Sequence, residues 1–369
     1  MDRRRFLRTA AATSAGTVGA LTATGTAHAA APSAPSAPPT LSAPSAPAAH
    51  GAAAPRLTWT VFSRHLQWLT TQAHAWSHPK DTGALIGETA AGLGFAAVDL
   101  TVRSGGHVEP AQVGTALAPM LAGIRGAGVE CDQITTDIAT AAGPYAEQVL
   151  AAAAGSGVRL FRWSSLAYPP GAPAFGTAAV RRRIASVRAE VAAVAALADR
   201  HHLVGIYHPF SGGAVGSALW DLVDLLAPYS PHSLGINYAT EHMFAEGAVS
   251  AWKFNLQAAA PQVLGVALAD MTLVRGAAGG ASESGAFPGT GLVDFAALFT
   301  LLRQAGFRGP VEVLTEYVHQ GVNLNSTFWA DSPGFTLTPA QMRATLADAL
   351  AAYRSFATAG GWTAAEQRA

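Results

Sequence analysis

Val158-Arg-Leu-Phe-Arg-Trp163 is a short apolar run in the middle of this chain, and Leu203-Val-Gly-Ile-Tyr-His208 is a second one. An Ala-rich stretch over residues 177–201 separates them and has the length of one long helix. A strand, a helix and another strand in this order are typical of a parallel sheet. The alternation recurs on both sides, so that eight apolar runs lie between Arg56 and Tyr317. Eight such units close most naturally into a (β/α)8 barrel.

The predicted fold class is therefore α/β, a single-domain (β/α)8 TIM barrel. The other six strands are predicted over residues 57–62, 95–101, 129–136, 234–238, 263–269 and 311–316. A last helix, from about Pro339 to Thr358, is expected to close the bottom or the side of the barrel. Active sites of TIM barrels lie at the carboxyl ends of the strands. Polar side chains follow the predicted strands at these ends: His65, Arg103, Arg162, His208, Glu241, His242, Asp270 and Glu316.

Two connections are longer than the minimal unit requires. They cover residues 164–176, after the fourth strand, and residues 271–291, after the seventh. Long loops on the strand-end face usually form lids or walls of a substrate site. For residues 276–286 a tolerated insertion is the equal alternative.

The ends of the chain indicate export. Residues 1–30 combine a basic start, with the twin-arginine pair Arg3-Arg4, and a small-x-small cleavage site at Ala27-His-Ala29, as in a twin-arginine signal peptide. Residues 31–55 are almost entirely Ala, Pro and Ser, which predicts a disordered linker. The barrel is expected over 56–360. The apolar stretch of the signal is short and rich in Thr and Gly, which favours cleavage over an uncleaved anchor. We expect a periplasmic or extracellular protein without stable membrane insertion.

Composition excludes several classes of function. The net charge is zero and 12% of the residues are charged, so no basic surface is available to follow a nucleic-acid backbone. The single cysteine, Cys131, cannot form an internal disulfide. Neither lysine, Lys80 or Lys253, follows an apolar run, which argues against a Schiff-base aldolase. A small-molecule carbohydrate is the expected partner, and the oligomeric state stays open.

Several strand ends together resemble the xylose-isomerase-like TIM barrels, the sugar phosphate isomerase/epimerase superfamily. The matching pieces, in chain order, are Gly94–Pro110, Phe161-Arg162, Ser211–Asp221, His242 with Glu246-Gly247, Ala269-Asp270, Phe287–Asp294, and Phe307–Pro310 leading to Glu316-Tyr317. The resemblance implies a TIM barrel that binds a sugar and one divalent metal through side chains of strands five to eight. It also implies proton transfer beside a carbonyl, assisted by that metal.

The chain departs from the family pattern at several of these strand ends. Ala239 stands where the family places a metal-binding Asp, His208-Pro209-Phe210 replaces the usual ending of strand five, and Ala267 replaces a histidine of strand seven. His208, His242 and Glu316 remain as a three-ligand set suited to Mn²⁺, Zn²⁺ or Fe²⁺, with Glu241 or Asp270 as a fourth ligand. The alternative is that His208 only forms hydrogen bonds and no metal binds.

Catalysis is assigned to Glu316, His242 and Glu241. Glu241 would substitute for the second carboxylate of a two-base epimerisation, unless it is a solvated loop residue. Substrate binding is assigned to donors and acceptors at the other strand ends, namely Arg162, His65, Arg103, His107 and Asp270. Arg162 is the strongest of these candidates, because a charge directly after an apolar run is costly unless it faces a polar mouth.

Three functions compete. The first is an exported sugar isomerase or epimerase that acts by proton transfer next to a carbonyl. The second is a lyase or hydrolase that acts on keto-sugars or keto-glycosides, since it would begin with the same proton abstraction. The third is a non-catalytic sugar-binding barrel whose metal ligands have decayed.

Overall fold

A computed structural model describes residues 54–164, 166–168, 177–276, 279–319, 322–324, 329–333, 335 and 337–368. Ten strands follow one another along the barrel region: β1 (Arg56–Phe62), β2 (Ala97–Val102), β3 (Glu130–Thr136), β4 (Leu160–Trp163), β5 (Val204–Tyr207), β6 (Leu234–Ala239), β7 (Val263–Leu268), β8 (Asp270–Arg275), β9 (Ala281–Ala286) and β10 (Arg308–Val313). The predicted signal peptide and all but the last two residues of the predicted linker lie outside the described residues.

Strands β1 to β7 and β10 form one closed parallel barrel. Each pairs in parallel with the next, and β10 pairs with β1, where Trp59 faces Val311 and Val61 faces Val313. The prediction of a (β/α)8 barrel is confirmed. The predicted strand bounds agree to within a few residues; the last strand runs from Arg308 and ends before Glu316.

Helices cover the outside of the barrel. Their bounds are α1 (Gln72–Ser77), α2 (Pro79–Leu93), α3 (Val113–Gly126), α4 (Ala146–Gly155), α5 (Thr177–Arg200), α6 (Trp220–Leu226), α7 (Thr240–Gly247), α8 (Ala251–Ala259), α9 (Phe295–Gln304) and α10 (Pro339–Ala359), with 3-10 turns over Ser63–Leu69, Pro110–Gln112 and Ala260–Gln262. None of the helices within the described ranges is long and apolar enough to span a membrane.

The start of α10 shows how local sequence sets a helix boundary. Thr338 accepts a hydrogen bond from the Gln341 backbone N–H, and the Gln341 side chain accepts one from the Thr338 backbone N–H. This capping box satisfies two donors that the first turn leaves unpaired, and Pro339 needs no donor at its position.

The barrel extends beyond the predicted boundary at residue 360. Trp362 is buried, and its indole N–H donates to the Phe299 carbonyl oxygen at 2.8 Å. Gln367 and Arg368 form a short strand that pairs in parallel with the beginning of β1. The segment after α10 is therefore part of the folded unit.

The connection after β7 departs most from the minimal barrel. Strands β8 and β9 pair antiparallel over six residues each and form a hairpin. Asp270, at the start of β8, accepts backbone hydrogen bonds from Met271, Gly289, Gly291 and Val293 at 2.8 to 3.1 Å. One buried carboxylate thus holds both ends of the connection. The other long connection, residues 164–176, falls largely outside the described residues.

Candidate functional site

The barrel interior contains a buried charged cluster of Arg162, Glu312 and Asp99. Arg162 lies on β4 and Glu312 on β10, which are opposite strands with three strands between them in either direction. The Arg162 Nη1 and Glu312 Oε2 atoms are 3.4 Å apart, and the side chains are 9% and 1% exposed. A contact between opposite strands is possible only through the interior, so Arg162 points into the barrel, where it pairs with Glu312. Its predicted role in binding substrate stays a prediction. Its guanidinium also lies over the Phe62 ring, 5.2 Å from the centroid.

Glu312 and Asp99 form a carboxyl pair beside that arginine. Asp99 accepts hydrogen bonds from Gln133 and Thr135, both at 2.7 Å, and its carboxyl group adjoins that of Glu312. Burial raises the pKa of both carboxyl groups, with that of Glu312 held well above its usual range. Two adjoining buried carboxylates cannot both be ionised, so the pair retains a proton that stabilises the contact.

His242 lies between two carboxylates at the mouth of the barrel. Its Nε2 atom is 3.4 Å from Glu241 Oε1, and its Nδ1 atom is 3.1 Å from Glu283 Oε2. The Ser211 hydroxyl also lies 3.1 Å from Nδ1. Glu241 and His242 belong to the first turn of α7, directly after β6, whereas Glu283 comes from β9 of the hairpin.

The environment sets the protonation of this group. Burial acts to lower the pKa of His242, but the hydrogen bond to Glu283 and the charges of Glu241, Glu283 and Glu316 raise it above its usual value. Burial raises the pKa of Glu241 to about 7, the neighbouring Glu316 and Glu283 add to the rise, and His242 opposes it. A carboxyl group with a pKa near neutrality is suited to general acid–base catalysis.

His208 is buried next to this group and is neutral. Burial lowers its pKa well below the usual value, and the positive charges of Arg162 and His242 lower it further. The side-chain nitrogen of Asn237 lies 3.3 Å from His208 Nδ1. Because an amide nitrogen only donates, this contact makes Nδ1 an acceptor and leaves the proton on Nε2.

The predicted metal ligands do not assemble into a metal site. Within the described part of the chain, no three or more His, Cys, Asp or Glu side chains are placed to hold one ion. Both ring nitrogens of His242 lie within 3.4 Å of carboxylate oxygens, those of Glu241 and Glu283. His208, His242 and Glu316 as placed here therefore do not fit the divalent cation that the resemblance implied.

Three of the predicted substrate-binding residues are engaged by the protein itself. His65 is buried and its Nε2 accepts the Thr315 backbone N–H at 3.2 Å. His107 is buried and its Nδ1 lies 3.1 Å from the Thr101 hydroxyl. Burial lowers the pKa of each histidine to about 3. Asp270 holds the hairpin connection described above. In these positions the three side chains stabilise loops at the mouth.

The remaining predicted residues are Glu316, which follows β10, and Arg103, which follows β2. Glu316 Oε1 is 3.3 Å from Arg64 Nη1, and Arg103 Nε is 3.7 Å from Asp137 Oδ1. Arg64 directly precedes His65 in the chain, yet Arg64 is the one of the two that contacts a candidate catalytic carboxylate. The two side chains diverge within the 3-10 turn, which strand-end position alone does not predict.

Sequence reasoning missed Glu312, Asp99 and Glu283. A carboxylate stands alone within an apolar strand in Val311-Glu-Val313 and in Val98-Asp-Leu100, and this is a readable signal of an inward-facing polar group. Glu283 has no such signal, because its role depends on the hairpin folding back onto α7.

Residues 89–336 match the family model described as xylose isomerase-like TIM barrel. The chain belongs to this family. The match spans most of the barrel, from β2 to beyond β10, and includes Glu241, His242, Glu283 and Glu316 of the mouth. The predicted resemblance is thereby confirmed.

Solved structures with this fold include several sugar epimerases. The chain is similar to 3-keto-D-glucoside 4-epimerase YcjR from E. coli, with a TM-score of 0.55, 16% identity, and coverage of 81% of this chain and 100% of that chain. D-allulose 3-epimerase from Methylomonas sp. has a TM-score of 0.54 and 17% identity, with coverage of 82% of this chain and 98% of that chain. L-ribulose 3-epimerase has a TM-score of 0.56 and 15% identity, with coverage of 83% of this chain and 96% of that chain. At such identities the similarity establishes the fold. Among curated proteins no sequence match is found.

Proposed function

We propose that this protein is a sugar isomerase or epimerase-like enzyme that moves a proton at a carbon next to a carbonyl. The single observation that carries the proposal is the acid–base group at the barrel mouth, in which the largely buried Glu241 lies 3.4 Å from His242, and His242 lies 3.1 Å from Glu283. Burial raises the pKa of Glu241 to about 7. Such a group takes and returns a proton near neutral pH, which is what this reaction needs.

The neighbours of Glu241 supply the rest of the chemistry. Glu241 takes the proton from the carbon. The electron pair of that C–H bond forms a carbon–carbon double bond, and the π pair of the carbonyl group moves to its oxygen, so that the substrate becomes an enediolate. The His242 imidazolium stabilises this negative charge, and the Nε2–H of neutral His208 is a further donor. Return of the proton to the adjoining carbon gives the isomer, provided that the hydroxyl proton on that carbon moves to the former carbonyl oxygen. Epimerisation instead needs a second acid on the opposite face of the same carbon, and Glu316 is the candidate for it.

A sugar is the substrate class that the surroundings favour. The mouth presents charged and amide groups rather than a continuous apolar wall, and Arg162 with its buried partner Glu312 provides a fixed donor. Structures of the same fold carry the names of sugar epimerases, and one contains D-allulose. For this chain the sugar remains part of the proposal.

Isotope exchange tests the proposal without knowledge of the product. Aldoses, ketoses and 3-keto-glycosides incubated in D₂O are expected to gain deuterium next to the carbonyl. Glu241→Gln is expected to lower this rate by about 10²- to 10⁴-fold, because the base is lost. The matched control Glu88→Gln changes an exposed glutamate of α2 and should leave the rate unchanged. Proton NMR measures the exchange.

The outcomes separate the competing functions. Binding of a sugar without exchange of any C–H would contradict the proposal and favour a sugar-binding barrel. Exchange with loss of a leaving group would instead identify a lyase or hydrolase of keto-glycosides.

A chelator in the same assay tests metal assistance. We expect no change in rate, because His242 is held as an imidazolium between Glu241 and Glu283; a lost rate that metal restores would contradict this.

We further propose that the protein is exported through the twin-arginine route to the periplasm or beyond. The support is the Arg3-Arg4 pair in the basic start and the Ala27-His-Ala29 cleavage pattern. Fractionation of cells that produce the full chain should place the barrel outside the cytoplasm, and recovery of uncleaved chain in the cytoplasm alone would contradict export.

A further inference from the structure

A cavity of about 320 Å³ lies next to the proposed reaction site, at the ends of β1 and β2. Two guanidinium groups line it, those of Arg64 and Arg103, together with the amides of Gln67 and Gln72 and the ring of Trp329. Among the described residues that line it, none is an aspartate or a glutamate. Its volume is in the range of small-molecule sites.

Arg64 connects this cavity with the candidate catalytic residues. Its Nη1 atom is 3.3 Å from Glu316 Oε1. The charge of Glu316 in turn contributes to the raised pKa of Glu241 and of His242. A molecule bound at Arg64 would therefore lie beside Glu316, one of the predicted catalytic residues.

The cavity favours a negative charge. Arg64 contacts Glu316 and Arg103 contacts Asp137, but neither of these carboxylates is among the described residues that line the cavity. Burial lowers the pKa of Arg64, Glu316 opposes this, and the positive charges of Arg103 and Arg162 lower it further. An anion in the cavity would be attracted by the two guanidinium groups that line it, those of Arg64 and Arg103.

The Gln67 side chain has a fixed position in the wall of the cavity. Its Nε2 donates to the Gly105 carbonyl oxygen at 2.8 Å, which fixes the orientation of the amide because a carbonyl only accepts. The Gln67 Oε1 atom is buried and has no hydrogen-bond partner among the described residues. Gln67 therefore forms a fixed part of the cavity wall, and its Oε1 atom is not exposed to a ligand.

We propose that this cavity binds the carboxylate end of an acidic sugar, an aldonic or uronic acid or a keto derivative of one. A planar carboxylate matches the donor fork of arginine, and the amide of Gln72, which also lines the cavity, matches a hydroxyl beside it. Since both arginines already face one carboxylate each, the cavity suits a singly charged group better than a phosphate dianion. The proposal rests on the proposed function for the reaction at Glu241, and it adds the substrate class.

Calorimetry with matched ligands tests the proposal. Gluconate is compared with glucitol, galacturonate with galactose, and both acids with glucose 6-phosphate, using the full-length protein. We expect one acid at least to bind about tenfold more tightly than its neutral counterpart, and Arg103→Gln to remove that difference. The matched control is Arg159→Gln, since Arg159 pairs with Asp132 at 2.9 Å just before β4, at the other end of the barrel.

The results that would overturn the proposal are distinct. Equal affinity for acidic and neutral members of every pair, or loss of the preference in both arginine variants alike, refutes the acidic-sugar site. A preference for glucose 6-phosphate over both acids refutes the carboxylate. Gluconate has no aldehyde or keto group, so its binding does not depend on proton transfer. Exchange of C–H with neutral sugars, without tighter binding of acidic sugars, would therefore refute only the acidic-sugar site. Tighter binding of acidic sugars without exchange of C–H would refute only the proposed reaction.

Discussion

Glu241 shows how little of a residue's chemistry is contained in its identity. As a glutamate on an exposed loop it would be ionised throughout the neutral range. At the first turn of α7 it is largely buried, near Glu283 and Glu316, and its pKa is raised to about 7. His242 is altered in the same direction by the carboxylates beside it. The two groups form one coupled unit, so their titration belongs to the pair.

The pH dependence of isotope exchange follows from these shifts. The pKa of Glu241 is raised, so its basic form is present above about pH 7 and is lost as the pH falls through that value. The pKa of His242 is also raised, so its imidazolium is lost as the pH rises through the shifted pKa. The rate should rise through about pH 7 and fall again at higher pH, and in Glu241→Gln the acid limb should vanish. A rate that keeps its full value down to about pH 5 would refute Glu241 as the base.

The hairpin of β8 and β9 is the element that completes the candidate site. It carries Glu283 to His242, and it packs closely against the end of the barrel. A Cβ atom added at Gly285 would overlap the Glu316 carbonyl oxygen. Glycine is required here by close approach of two backbones. The connection that was equally consistent with a tolerated insertion therefore supplies one of the two carboxylates in contact with His242.

Gly285→Ala tests the hairpin as a unit. The added methyl group must push β9 away from Glu316, which lengthens the contact between Glu283 and His242. We expect the pKa of His242 to fall and the exchange rate to drop by about 10- to 100-fold. The control is Gly92→Ala, where an added Cβ has no neighbour within 4 Å. NMR titration of His242 gives the readout, and an unchanged pKa in a folded Gly285→Ala protein would contradict this account.

At the scale of the whole molecule, closure of the barrel makes one folded unit of residues far apart in the chain. β1 pairs with β10 and β2, and the strand formed by Gln367 and Arg368 pairs with the start of β1. The segment from Ala54 to Arg368 thus contains the closed sheet and its helices.

A chain that begins at Ala54 is expected to keep the unfolding temperature and the exchange activity of the full chain, because the described unit buries its own core. It should lose export, because it lacks the twin-arginine start. Thermal unfolding, the D₂O assay and cell fractionation measure the three properties. A large drop in unfolding temperature would show that residues 1–53 contribute to the fold.

Much of this architecture was predictable because its causes are local. Eight apolar runs separated by helical stretches, such as the one at 177–201, specify strands and helices through their own periodicity, and parallel strands of that number close in one way. Arg162 was predictable for a related reason, since its charge directly follows apolar residues. The predicted boundary at residue 360 left out Trp362, because its place in the fold depends on a contact with α9 that is distant in the sequence.

The amino-acid sequence by itself determined the barrel, the family and the face where polar groups gather, because these depend on patterns within a few turns of chain. The tertiary structure alone decided which of those groups meet. Arg162 contacts Glu312 across 150 positions and His242 contacts Glu283 across 41, so strand register and the folded hairpin set both distances. These contacts affect protonation: burial acts to lower the pKa of His242, but the contact with Glu283 helps to raise it, whereas the pKa of Glu241 is raised mainly by burial in the folded mouth.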